Sequence, residues 1–121
     1  MTIYEELGED NLKELVDTFY NNVLADDRIA HLFASDINLI KSKQLMFLTQ
    51  FLGGPGLYTA EYGHPKMRMR HFPHAITPSA AVAWLENMKM SIESLGISED
   101  FKHRLFTRFP HVAAHMVNRP D

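Results

Sequence analysis

Apolar side chains recur at three- and four-residue steps along most of this chain, which is the spacing of one helix face. The first long run follows Asp10 and consists of Leu12, Leu15, Val16, Phe19, Tyr20 and Val23. Two further stripes consist of Ile37, Ile40, Gln44, Phe47 and Phe51, and of Ala81, Trp84, Leu85, Met88, Ile92 and Leu95. No segment of useful length alternates between apolar and polar residues, as a half-buried strand would. The pattern predicts an all-α fold with four main helices and two or three short ones.

Helix-starting and helix-breaking residues set the expected boundaries in the first half of the chain. Residues 3–7 can form only a short helix, which Gly8 stops. Ser35 or Asp36 can cap the second long helix, because short polar side chains accept hydrogen bonds from free N–H groups. Residues 53–65 contain four glycines and two prolines, so we expect this helix to end there and a loop to follow.

The second half of the chain carries two further start signals. Thr77 followed by Pro78 is typical of a helix start, with the threonine as cap and the proline in the first turn. Ser98 can cap a last helix that runs towards Val117. Pro110 falls inside that helix and is expected to kink it, because proline lacks the N–H group that a helix interior uses.

Composition limits the kinds of protein that this chain can be. Its 121 residues are expected to form one domain over 1–121, and they include no cysteine, which excludes disulfides, thiolate zinc sites and cysteine nucleophiles. A net charge of −3 argues against nucleic acid as the main partner. No apolar stretch approaches the roughly 18 residues that cross a membrane, and the acidic start lacks the features of a signal peptide. We therefore expect a soluble cytoplasmic protein with no membrane partner.

Tyr20, Gln44 and Trp84 place hydrogen-bond donors on otherwise apolar helix faces. A donor that is buried without a partner costs about 1–3 kcal/mol. Ordinary packing, in which the polar tip reaches a backbone carbonyl or a water, accounts for any one of them alone. Three donors on three helices that face one core also fit a polar pocket for a small ligand, so both interpretations remain open at this point.

Histidine is the main metal-binding side chain left when cysteine is absent, and the chain has seven. His111 and His115 are four residues apart, as in helical zinc sites, but Val112 occupies the place of the glutamate that the zinc-protease pattern needs. A solvated or packed pair is the simpler interpretation. His71 and His74 follow a basic, methionine-rich run and gain interest only beside the pocket described above.

Taken in chain order, these residues resemble the truncated haemoglobins, and most closely their second group. Gly63-His-Pro65 followed by Met67-Arg-Met-Arg-His71 is similar to the family's proximal segment, and residues 15–23 are similar to its second helix with a pocket tyrosine. The other similar segments are residues 31–33, 47–55, 57–59, 83–85 and 115–118. The resemblance covers nearly the whole chain without an evident gap.

The resemblance implies a fold of two helices stacked over two others around a haem b, with His71 as the proximal iron ligand. It implies that Tyr20, Gln44 and Trp84 bind the gas ligand on the opposite, distal side. The haem contacts that it implies are Phe33, Ile40, Lys43, Tyr58, Arg70, His71 and Trp84. Lys43 and Tyr58 would lie at the haem edge near the propionates, and Arg70 would be a further propionate partner because guanidinium matches carboxylate geometry.

Three positions depart from the family pattern. Ile40 is bulky and apolar where a small or hydroxyl residue is common, so it cannot donate a hydrogen bond to the ligand. His74 is a second possible iron ligand, three residues after His71. His71 is favoured because it completes the family match and because Pro73 separates the two histidines. Pro110 lies inside the last helix, where the family pattern has no proline.

The resemblance implies a protein that binds oxygen and other diatomic gases reversibly, for storage, scavenging or delivery. An alternative is a haem enzyme on the same scaffold, such as a nitric oxide dioxygenase or a peroxidase-like enzyme. Since the chain shows no flavin or nicotinamide domain, a cycling enzyme would need a separate reductase as partner. A third hypothesis is a haem-free helical interaction module.

Overall fold

The computed structural model describes residues 1–33, 36–63 and 76–121 of the chain. Its helices are α1 (Ile3–Leu7), α2 (Glu9–Leu24), a 3-10 helix (Ala30–Phe33), α3 (Ile37–Phe51), α4 (Leu57–Tyr62), α5 (Pro78–Glu93), α6 (Glu99–Phe106) and α7 (Pro110–Met116). No strand occurs within these described ranges, and the predicted all-α class is confirmed.

The helices α3, α5 and α6 begin at the capping residues that the sequence indicates. The Asp36 carboxylate accepts hydrogen bonds from the N–H groups of Asn38 and Leu39 at the start of α3, whereas Ser35, the other candidate, lies outside the described residues. Thr77 caps α5 and Ser98 caps α6 in the same way. Each such cap contributes about 1 kcal/mol, because it satisfies N–H groups that the helix itself cannot.

The prediction of a loop over residues 53–65 is wrong in its middle, where α4 spans Leu57–Tyr62. The turn-forming residues cluster at the two ends of that segment and leave its centre free to form a helix. A contact from α3 supports it: Gln50 Oε1 accepts a hydrogen bond from the Thr59 N–H (2.9 Å) and Gln50 Nε2 donates to Thr59 Oγ1 (2.7 Å). Gly63 ends the helix with φ 82°, a conformation that glycine adopts without strain.

The prediction of one kinked helix from Ser98 towards Val117 is also wrong. The chain forms two separate helices, because α6 ends at Phe106 and α7 begins at Pro110. Proline suits the first position of a helix, where its fixed φ is helical and its missing N–H group would have had no partner. Pro110 therefore starts a new helix.

The core is built around α2, whose buried residues are those of the predicted stripe: Leu12, Leu15, Val16, Phe19, Tyr20 and Val23. This helix packs against α5 and α3, and α5 also packs against α6 and α7. The backbone N–H of Tyr4 donates to the carbonyl of Leu52 (2.9 Å), which fixes α1 to the end of α3. In the described ranges, no helix combines the length and the apolar character needed to cross a membrane.

Candidate functional site

A cleft lies where α2, α3, α5 and α7 meet. We call it the central cleft. Its lining residues are Tyr20, Phe33, Gln44, Phe47, Leu48, Phe51, Trp84, Phe109, Val112 and Met116. The three polar residues that interrupt the apolar stripes, Tyr20, Gln44 and Trp84, thus line one cleft although they come from three different helices.

Tyr20 is only 3% exposed, and burial raises the pKa of its phenol well above the ordinary value. The phenol therefore keeps its proton at physiological pH and can act as a hydrogen-bond donor. Its ring packs edge to face against Phe19 at 5.0 Å and against Phe33 at 5.5 Å between ring centroids. These contacts restrict the ring and so hold the hydroxyl oxygen in place, while its O–H bond can still turn towards an acceptor.

Trp84 is held by aromatic rings on two sides. Its ring centroid lies 5.2 Å from that of Phe19 on α2 and 5.9 Å from that of Phe109, the residue before α7. Within the part of the chain that the structure describes, the side chains of Trp84, Tyr20 and Gln44 have no hydrogen-bond partner. The central cleft thus presents three donors that are free to bind a small polar ligand inside an apolar wall.

A second cavity adjoins the central cleft and shares Phe33, Trp84 and Met116 with it. The rest of its lining is apolar and consists of Ile29, Leu32, Ile76, Ala80 and Ala81. A polar ligand finds little to bind there, whereas a large apolar ring system would bury its surface against these side chains. The linings of the two spaces suit a haem, because apolar side chains would face the macrocycle and three hydrogen-bond donors would face a small ligand.

Lys43, Tyr58 and Tyr62 form a cluster at the α3–α4 end of the site. Tyr58 is buried and packs against Phe47 (5.8 Å) and Tyr62 (5.1 Å). The Lys43 ammonium lies 5.0 Å from the centre of the Tyr62 ring, within cation–π distance. A cation at this edge suits a carboxylate such as a haem propionate.

The remaining predicted residues divide into two groups. Ile40 is half-buried, packs against the core and lies one helical turn before Gln44 on α3. Arg70, His71 and the alternative ligand His74 lie outside the described residues.

The described residues contain no group of three or more histidine, cysteine, aspartate or glutamate side chains that could hold a metal ion. His111 and His115 stack with ring centroids 6.4 Å apart and are exposed on α7, in keeping with a solvated pair.

Sequence reasoning missed the contribution of α7 to the central cleft. Phe109, just before α7, and Val112 and Met116 on α7 line the cleft, whereas His111 and His115 are exposed. Their spacing of three and four residues was the signal that could have found them. It was obscured because one helix was expected across Pro110.

Comparison with known proteins agrees with this fold. The model of the bacterial-like globin family matches residues 2–118. Group 2 truncated hemoglobin YjbI of Bacillus subtilis (strain 168) is 45% identical over 118 residues, covering 98% of this chain and 89% of that protein. The structure of the group II truncated hemoglobin from Bacillus anthracis has a TM-score of 0.94 at 43% identity, covering 100% of this chain and 99% of that one. The truncated oxygen-avid haemoglobin from Bacillus subtilis has a TM-score of 0.91 at 45% identity, covering 98% and 100%.

Proposed function

Since this chain belongs to the bacterial-like globins as a group II truncated haemoglobin, and so binds haem b, we propose that it binds oxygen reversibly and tightly in the central cleft. The observation that carries the proposal is that Tyr20, Gln44 and Trp84 meet in that cleft and have no hydrogen-bond partners in the described ranges. One solved relative is named as an oxygen-avid haemoglobin, which supports the same assignment.

When bound, haem supplies a ferrous iron with an open coordination position for a diatomic gas. We propose that His71 would hold the haem iron, since a neutral imidazole is a common ligand of haem iron. The residue completes the proximal motif Met67-Arg-Met-Arg-His71.

The distal residues act by hydrogen bonding. Hydrogen-bond donors in the cleft would stabilise partial negative charge on a bound diatomic gas. The Tyr20 hydroxyl, the Trp84 indole N–H and the Gln44 amide can supply up to three such donors. The apolar wall of the cleft keeps the local dielectric low, which strengthens each of these bonds. Slow oxygen release follows, because each bond must break before the ligand leaves.

Apolar residues provide the rest of the binding site. Phe33, Phe47 and Met116 offer flat or flexible apolar surface on which a macrocycle can pack.

We propose that Lys43, Tyr58 and Arg70 hold the propionates at the edge, and that Ile40 narrows the lateral approach to the ligand. Oxygen dissociation measured in the Tyr20→Phe and Trp84→Phe variants tests the proposal, and unchanged rates in both would refute it.

A further inference from the structure

A ladder of hydrogen bonds connects α2 and its C-terminal turn to α5, away from the central cleft. Asn22 Nδ2 donates to Ser91 Oγ (3.1 Å), and Asn87 Nδ2 donates to Asp26 Oδ2 (2.9 Å). Asn22 and Asp26 are four residues apart, and so are Asn87 and Ser91, in the opposite order along the chain. The two bonds therefore lie about one helical turn apart, between segments that run antiparallel. Asn87 and Ser91 are 2% and 0% exposed. Buried polar groups of this kind fix how two helices align, because only one register satisfies them.

Asn87 has a second bond that reaches towards the central cleft. Its Nδ2 also donates to the backbone carbonyl of Ala83 (2.8 Å), the residue directly before Trp84. Only the amide nitrogen can serve both acceptors, since a carboxylate and a carbonyl both require a donor. One side chain therefore connects Asp26, just after α2, to the turn of α5 that carries Trp84.

The acceptor at the other end is itself held firmly. The Asp26 carboxylate accepts from Arg28 Nε (3.0 Å) and Arg28 Nη2 (2.7 Å), and Arg28 Nη1 reaches Glu86 (2.8 Å). The hydrogen bonds from Arg28, and then that from Asn87, hold the pKa of Asp26 well below its usual range. The carboxylate is therefore charged at neutral pH, and a hydrogen bond to a charged acceptor is stronger than one between neutral groups.

We infer that Asn87 is a positioning residue, which sets the place of the Trp84 indole relative to Tyr20 by connecting the Ala83–Trp84 turn to Asp26. The aromatic contacts between the helices make the arrangement sensitive to register. Phe19 on α2 touches both Tyr20 (5.0 Å) and Trp84 (5.2 Å), so it acts as a spacer between the two donors. A small shift of α5 along α2 changes the place of Trp84 but leaves that of Tyr20, which is on α2 itself.

The test compares Asn87→Leu with Ser91→Ala in the haem-loaded protein, using carbon monoxide as the probe. Leucine has nearly the shape of asparagine but cannot donate. Ser91→Ala removes the neighbouring buried bond, seven residues from Trp84. The C–O stretching frequency reports the polar groups around the ligand, and oxygen dissociation reports their strength. We expect Asn87→Leu to shift or split the C–O band as Trp84→Phe does, and to speed oxygen release by about two- to tenfold.

Ser91→Ala is expected to lower the unfolding midpoint while leaving the C–O band and the release rate at their wild-type values. The inference is overturned if Asn87→Leu leaves the band and the rate unchanged, or if Ser91→Ala changes them as much. Should Asn87→Leu fail to fold, Asp26→Ala removes the same hydrogen bond from its more exposed partner. Arg104→Ala is then the control, because it removes exposed ion pairs with Glu6 and Asp100 that do not involve Asp26, and the same criteria apply.

The inference rests on the proposed oxygen-binding function. Measuring Trp84→Phe alongside distinguishes a failure of that function from a failure of the positioning role of Asn87. If Trp84→Phe changes neither the C–O band nor the release rate, the proposed role of the cleft donors fails. If Trp84→Phe changes both and Asn87→Leu changes neither, only the positioning role of Asn87 is wrong.

Discussion

The phenol ring of Tyr20 packs edge to face against the ring of Phe33, with 5.5 Å between the ring centroids, on the wall of the central cleft. Phe33 belongs to the 3-10 helix and Tyr20 to α2, so the contact joins two elements that line the same space. It restrains the phenol before any ligand arrives. A donor held in this way loses little freedom on binding, and its hydrogen bond contributes more to affinity as a result.

Replacing Tyr20 by phenylalanine removes the hydroxyl and keeps the ring with its contacts to Phe19 and Phe33. We expect oxygen dissociation to become about five- to thirtyfold faster, which corresponds to the loss of about 1–2 kcal/mol of hydrogen bonding. Stopped-flow replacement of oxygen by carbon monoxide measures the rate. Tyr4→Phe is a matched control on α1, outside the lining of the cleft, and is expected to leave the rate unchanged.

Trp84→Phe removes the indole N–H but leaves an aromatic ring between Phe19 and Phe109. Oxygen release is expected to accelerate over the same range as for Tyr20→Phe, while the protein stays folded, because most of the apolar contact is kept. Leu85→Met provides a control on the same helix at a residue outside the lining of the cleft. Equal release rates for Trp84→Phe and the wild-type protein would remove Trp84 from the donor set.

The proximal assignment predicts different spectra for two neighbouring histidine variants. His71→Ala is expected to lose the absorption spectrum of a histidine-ligated ferrous haem, whereas His74→Ala is expected to keep it. Spectra of the reduced protein with and without carbon monoxide distinguish the two. Loss of ligation in His74→Ala, with retention in His71→Ala, would reverse the assignment.

Asp26 is predicted to make the stability of the folded protein depend on pH in the acid range. Its pKa is lowered in the folded chain, so the folded form holds the proton less tightly than the unfolded form does. The resulting stabilisation is present above the unfolded carboxyl pKa of about 4 and is lost as the pH falls towards the folded value. Asp26→Asn should therefore be less stable than the wild type at pH 7, and the gap in denaturant midpoint should narrow on acidification below about pH 5. A gap that stays constant down to pH 3 would show that Asp26 does not contribute in this way.

The sequence predicted most of the helices because their signals are local. The stripe of α2 and the caps Asp36, Thr77 and Ser98 depend on residues within a few positions of one another. The helix α4 was missed because Gln50, which supports it through Thr59, belongs to a different helix. A contact of that kind is set by the packing of α3 against α4, which no local pattern expresses.

The sequence also predicted only part of the candidate site. The stripes indicated that Tyr20, Gln44 and Trp84 face inward, but periodicity cannot show that three inward faces meet in one cleft. That conclusion needed the packing of α2 against α3 and α5. The contribution of Phe109 and Met116 depended on where α7 begins, and Pro110 allowed either a kink or a new start.

The most direct test of the account is the oxygen dissociation rate of the double variant Tyr20→Phe, Trp84→Phe. If these two donors hold the ligand in the central cleft, release should be faster than in either single variant and roughly thirtyfold or more above the wild-type rate. An oxygen dissociation rate equal to that of the wild-type protein would contradict the account.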